Sequence, residues 1–177
     1  STMSFTAEAQ IVRELGKFLL DGSLYQGFKP VFWSTVERTA LADAEVEYKD
    51  HTSNTIFVAF KVKESPKEFL KNSNIIIWTT TPWTIPANRA LAFNGSIEYA
   101  LVEISDLENF KEKKIIVATN LLDSIIKSCN IEKFKILKTF SGSEFVGTIC
   151  KHPFETLGYN FDVPMLEARF VTLEQGT

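Results

Sequence analysis

Near the start of the chain, apolar residues recur at helical spacing. Ile11, Leu15 and Phe18, flanked by Val12 and Leu19, make one stripe, and Gly22 follows as a natural C-cap. The pattern predicts an amphipathic helix. Leu24 to Trp33 holds Gly27 and Pro30 and reads as a turn leading into an extended piece. A second short helical signal runs from Glu37 to Ala44. From Val46 onward the pattern turns to strands. Ile56 to Val62 is β-branched and aromatic, and Ile75 to Thr80 is a compact apolar run suited to a buried strand. Leu91 to Phe93, Tyr99 to Ile104, Ile115 to Ala118, Phe134 to Phe140 and Phe170 to Leu173 are further strand candidates. Turn chemistry separates them at Asn94-Gly95, Ser105-Asp106, Ser141-Gly142 and Gly158 with Asn160. One helix interrupts the series, capped by Thr119 or Asn120 and carrying Leu121, Leu122, Ile125 and Ile126.

These elements predict a mixed α/β, β-rich fold. Its core is barrel-like, of about six to seven short strands, with a few peripheral helices. Residues 1–45 form a helical lead-in and residues 46–177 the β-rich domain. At 177 residues, the chain is long enough for one good hydrophobic core.

Composition narrows the class. Hydrophobic residues at 45% and charged residues at 23% are the balance of a soluble globular protein. No run approaches the ~18 apolar residues of a membrane span, so no membrane partner is expected. Cys129 and Cys150 have no partners at metal-ligand spacing and make no disulfide framework, which fits a reducing, cytoplasmic setting. The net charge of −3 excludes a generic polyanion binder. Lysines do collect, at Lys61, Lys63, Lys67 and Lys71 and again from Lys111 to Lys138. Such clusters fit a phosphate-binding face. The acids among them, Glu64, Glu68, Glu112 and Glu132, fit an ordinary solvated face instead.

Several familiar sites are absent: there is no Gly-rich phosphate loop, no G-x-S-x-G elbow and no H-E-x-x-H. His51 reads as exposed loop. His152, ahead of Pro153 and Phe154, sits in an extended turn where a structural role is favoured over a catalytic one. Cys150 reads as core filler rather than nucleophile. What stands out is Ile75-Ile76-Ile77-Trp78-Thr79-Thr80-Thr81-Pro82-Trp83-Thr84-Ile85-Pro86-Ala87-Asn88-Arg89-Ala90. A buried strand runs into three threonines and then into a loop stiffened by Pro82 and Pro86. Threonine offers a hydroxyl that both donates and accepts, and a methyl that can wall a pocket. Such a row suits a site that orients water against a polar ester. It equally suits plain strand, with alternate hydroxyls in solvent.

The stretch W-T-T-T-P-W-T-I-P-A-N-R-A resembles the threonine-rich signature of the editing domain, a connective-polypeptide insertion, of isoleucyl-tRNA synthetases. The likeness covers nearly the whole chain. K-P-V-F-W and R-T-A-L-A-D-A-E-V-E-Y lie upstream, and H-P-F, D-V-P and V-T-L-E-Q-G-T lie downstream, in the family's order. The related valyl and leucyl enzymes have T-T-R-P followed by Glu-Thr or Asp-Thr. Thr81 stands here where they have arginine, and Trp83 where they have the acid, which marks the isoleucine branch.

The resemblance implies a ligase domain that proofreads. One methylene in a hydrophobic pocket is worth only ~1–3 kcal/mol, and this class of enzyme is the standard instance of that limit. A second site therefore hydrolyses the mistaken ester, Val-tRNA(Ile), and valyl-adenylate. Thr79, Thr80, Thr81 and Asn88 would form the hydrolytic site, with Thr80 sensing size and Thr81 touching the ester or the attacking water. Trp83, Thr84, Gly176 and Thr177 would contact substrate. The implied partners are the tRNA(Ile) 3′ end and the rest of the synthetase chain, which residues 1–45 would join. No metal and no cofactor is implied in this domain; ATP and Mg belong to the parent enzyme's separate synthetic site. In many relatives a C-x-x-C knuckle follows K-P-V-x-W, but here those positions are Ser34 and Glu37, which removes a metal site there. In the family, V-T-L-E-Q-G-T is followed by a G-x-V-H-x-A-P-G-H-G segment and an acidic residue. A fragment ending at Thr177 is expected to deacylate weakly or not at all. Two other readings stay open: a non-catalytic module binding the tRNA 3′ end, and a free-standing aminoacyl-tRNA deacylase.

Overall fold

A computed structural model describes residues 3–105 and 113–173. Asp106 of the expected Ser105-Asp106 turn, Lys111, Glu112, Gly176 and Thr177 therefore lie outside the described residues. The chain divides into two compact units, Ser1–His51 and Thr52–Thr177.

In the first unit, helix α1 (Phe5–Leu20) forms where the apolar stripe predicts it. Ser4 caps it, its hydroxyl accepting the Ala7 N–H at 3.4 Å. Gly22, at φ 81°, takes the left-handed position just past its end. Ile11, Val12, Leu15, Phe18 and Leu19 are all exposed. The helix expected over Glu37 to Ala44 is not there. Strands β1 (Phe32–Ser34) and β2 (Thr39–Leu41) make an antiparallel hairpin instead. Its turn supplies the reason. The Ser34 hydroxyl accepts the Glu37 N–H at 3.2 Å and donates to the Glu37 carboxylate, and Arg38 adopts φ 55°. A side chain that satisfies its own turn competes with helix. The hydroxyl also holds the Glu37 carboxyl below its ordinary range. Ser34 and Glu37 thus hold each other by hydrogen bonds within this turn.

The second unit is built on an eight-stranded mixed sheet. Its strands are β3 (Ile56–Glu64), β4 (Asn74–Thr79), β5 (Leu91–Phe93), β6 (Glu98–Ile104), β7 (Lys114–Ala118), β8 (Phe134–Ser141), β9 (Ile149–Lys151) and β10 (Asp162–Glu167). They lie in the order β5-β10-β9-β3-β4-β7-β6-β8. Pairing is antiparallel except at β4–β7 and β5–β10. Every one of these strands sends residues into one core cluster, which includes Phe60, Ile75, Leu91, Phe93, Leu101, Ile116, Phe140, Cys150 and Val163. The sheet therefore curls around that core, yet no hydrogen-bonded ladder joins the end strands β5 and β8. The class is mixed α/β and β-rich, as the pattern predicts, with a curled sheet rather than a closed barrel.

Turns draw the two ends together. Gly142 donates its N–H to the Ile97 carbonyl at 2.8 Å, and the Ser141 hydroxyl donates to the Gly95 carbonyl at 2.6 Å. A Cβ on Gly142 would meet the Asn94 carbonyl oxygen at 2.1 Å, so only glycine fits there. On the outer face, helix α2 (Leu122–Ser128) covers β6 and β7, and Leu122 and Ile125 join Ile76, Val102 and Val117 in a second cluster. This two-sided burial explains why Ile115 to Ala118 reads as a continuous apolar run. Phe170 to Leu173 is not a strand. The strand next to the end strand β5 is β10, whose Pro164 marks its change of partner: Asp162 to Pro164 pair with β9, and Met165 to Glu167 with β5.

Candidate functional site

The threonine run begins inside the sheet. β4 pairs with β7 only through Asn74 and Ile75, so its far end, Ile77 to Thr79, has β3 alone as a neighbour. Alternation puts Thr79 on the face of Ile75 and Ile77, which look into the first core, and Trp78 on the face of Ile76. The chain then bends. Thr79 Oγ1 accepts the Thr81 N–H at 3.0 Å and lies 3.2 Å from Thr81 Oγ1. These two hydroxyls form a half-buried pair, while Thr80 between them is exposed.

Thr81 leads into a 3-10 turn, Pro82–Ala87, whose first residue needs no N–H and suits proline. The Thr81 carbonyl accepts the Thr84 N–H at 3.0 Å and the Thr84 hydroxyl at 2.7 Å. The turn closes at Asn88, whose N–H reaches the Ile85 carbonyl at 2.9 Å and whose Nδ2 donates to the Ala90 carbonyl at 3.1 Å. Ile85 is buried beneath it, and Trp83 stands 74% exposed above. Thr79, Thr81, Thr84 and Asn88 thus lie along one hydrogen-bonded loop, in which Thr80, Trp83 and Thr84 are exposed and Thr79, Thr81 and Asn88 half-buried.

The loop rests on a cluster that sequence reasoning did not connect to it. The buried His152 places Nε2 at 2.8 Å from the Ile85 carbonyl. Around its ring lie Phe60, Phe154, Tyr159 and Phe161, with Tyr159 stacked at 5.0 Å between centroids. Arg89, at the loop's other end, sets its guanidinium 3.7 Å over the Phe161 ring. The available signal was H-P-F followed by two aromatic residues, but nothing in that spacing says which loop it meets.

The charged and titratable groups elsewhere have local explanations. Lys63 pairs with Asp162, Lys67 with Glu144, Lys71 with Glu68 and Lys151 with Glu155. Lys138 lies 3.8 Å over the Phe69 ring. These pairings favour the solvated-face reading of those lysines. Burial pushes the Cys150 thiol up to about 12, as befits core filler. Among the described residues, no group of three or more His, Cys, Asp and Glu could hold a metal ion. No described helix is long and apolar enough to cross a membrane. An apolar cavity of about 180 Å³ lies under α2 between Phe57, Ile76, Ile125 and Cys129, and is not lined by the threonine loop.

A strand feeding a hydroxyl-rich, proline-stiffened loop is the arrangement expected of the editing fold, and comparison with known proteins assigns the family. The family model described as tRNA synthetases class I (I, L, M and V) matches residues 1–169. This chain belongs to the class I tRNA synthetases. It is 64% identical to the isoleucine-tRNA ligase of Pelagibacter ubique, over all of the chain and 20% of that protein. It is 48% identical to the isoleucine-tRNA ligase of Gluconobacter oxydans, over 99% of the chain and 19% of that protein. The chain therefore spans about a fifth of the length of the curated relatives it matches. Among solved structures, the crystal structure of GlLeuRS-CP1 superposes with a TM-score of 0.52 at 13% identity, covering 70% of this chain and 52% of that one. At that identity the likeness is one of fold. Together these findings fit a connective-polypeptide piece of an isoleucine-type class I synthetase.

Proposed function

We propose that this chain is the editing part of an isoleucine-tRNA ligase and that it hydrolyses the valyl ester of mischarged tRNA(Ile). The observation that carries the proposal is the loop itself. The isoleucine-type T-T-T-P-W-T pattern holds the Thr79 and Thr81 hydroxyls 3.2 Å apart at the end of a buried strand. In the reaction, water adds to the ester carbonyl carbon and passes a proton on. The resulting oxyanion then collapses, and the bond to the ribose oxygen breaks as that oxygen takes up a proton. Thr79 and Thr81 orient the water and the ester. Backbone amides and the substrate's own ribose hydroxyl complete the set, so the rate comes from positioning and fixed dipoles. Thr80, exposed between them, touches the aliphatic side chain and senses its size. Asn88 fixes the far side of the site, and Trp83 packs on the terminal adenosine.

Residues 1–45 are proposed as the junction with the synthetase body, and the exposed apolar stripe of α1 supports this, since such a stripe normally finds a cover. The test is a full-length enzyme with Thr81→Ala and Asn88→Ala. Its deacylation of Val-tRNA(Ile) should fall about a hundredfold, the scale of losing one pre-set polar contact in a transition state. An unchanged rate would sink the assignment. The exposure of Trp83 favours a second reading, a module that only binds the tRNA 3′ end by stacking. Under that reading the double variant keeps its tRNA affinity, and wild type shows no deacylation to lose.

A further inference from the structure

We propose that His152 is a positioning residue for the hydrolytic loop, acting through the carbonyl of Ile85; the inference rests on the editing function proposed above. The imidazole's two nitrogens have fixed roles. Nδ1 lies 3.1 Å from the Phe154 backbone N–H, which can only donate, so Nδ1 is the acceptor. Nε2 then carries the proton and donates it to the Ile85 carbonyl at 2.8 Å, which can only accept. That same carbonyl receives the backbone N–H of Asn88 at 2.9 Å. His152 and Asn88 thus share one acceptor. The ring cannot swing away, because Phe60, Phe154, Tyr159 and Phe161 enclose it. Phe161 in turn carries the Arg89 guanidinium, so the segment around His152 grips the loop on both sides of Asn88. A buried ring that is satisfied at both nitrogens and has one of them on the loop's last turn sets where Asn88 stands.

The two amide side chains separate positioning from filling. In His152→Gln the amide nitrogen reaches toward the place of Nε2 and keeps the donor to Ile85. In His152→Asn the shorter chain keeps a partner for the Phe154 N–H but loses that donor. Both are measured in a full-length isoleucine-tRNA ligase carrying this sequence. Hydrogen exchange in the peptide spanning Pro82 to Ala90 should quicken about tenfold in His152→Asn and return close to wild type in His152→Gln. Deacylation of Val-tRNA(Ile) should follow: kcat falls about tenfold or more in His152→Asn with KM little changed, and His152→Gln recovers most of it. Aminoacylation at the separate synthetic site serves as the control for folding. Equal exchange and equal kcat in both variants would overturn the proposal, as would losses that merely track a lowered melting temperature. A wild type that does not deacylate would defeat the editing reading instead, while the exchange comparison still decides the clamp.

Discussion

The curled sheet has two polar-to-apolar junctions that look alike in sequence and behave differently in structure. One is the loop from Thr79 to Ala90, and the other is the meeting of the Asn94–Ile97 turn with Gly142 to Phe145. Both are short, rich in turn residues and tied by backbone hydrogen bonds. At the second, the chain packs backbone on backbone, and Phe145 lies fully buried against Phe93, Tyr99 and Phe140. At the first, the half-buried hydroxyls of Thr79 and Thr81 and the exposed Thr80, Thr84 and Trp83 accompany one buried residue, Ile85. The difference separates a junction that is closed by packing from a loop that leaves polar groups and an indole uncovered. Damage to the closing junction should cost stability, and damage to the threonine loop should cost chemistry.

The largest effect is expected at the closing junction. Phe145→Ala should lower unfolding free energy by about 4 kcal/mol, the scale of emptying a buried aromatic site. Gly142→Ala should cost about 3 kcal/mol, because its Cβ would press on a backbone oxygen that has no rotamer to yield. Denaturant titration measures both. A cost below ~1 kcal/mol for either would remove the closing role given to that junction. A middle-sized effect comes from Cys150 in the core between β3 and β10. Its thiol, raised to about 12, stays protonated in the fold after the unfolded thiol has ionised. Its contribution is therefore complete below about pH 9 and is lost as pH rises through about 12, at up to ~1.4 kcal/mol per pH unit. Over that window the stability gap between wild type and Cys150→Ala should narrow. A constant gap would contradict the burial argument. The smallest effect on stability is expected at the loop. Thr81→Ala with Asn88→Ala should shift unfolding by only about 1 kcal/mol, from a few half-exposed hydrogen bonds.

What the sequence made legible follows the range of the interactions involved. α1, β3 through β8, α2 and the turn at Asn94-Gly95 are local patterns of apolar spacing and turn chemistry, and each lies within a residue or two of its expected place. The threonine loop was legible as unusual, and the resemblance gave it a role that composition left open against plain strand. Glu37 to Ala44 misled because its apolar spacing fits a helix, while Ser34 and Arg38 specify a hairpin turn. β10 hid behind Pro164, which in an isolated run argues against a strand, and becomes tolerable only where the strand changes partner. The parallel pairing of β5 with β10, and the contact of His152 with Ile85, join residues far apart in sequence. No local pattern carries them.

The central claim is that this loop distinguishes a valyl from an isoleucyl ester. The most direct measurement is the hydrolysis of Val-tRNA(Ile) beside Ile-tRNA(Ile) by a full-length isoleucine-tRNA ligase carrying this sequence, with Thr81→Ala and Asn88→Ala as the paired control. The account predicts rapid loss of the valyl ester, sparing of the isoleucyl ester, and disappearance of that difference in the double variant. Equal rates on the two esters in the wild type, or a difference that survives the double variant, would contradict it.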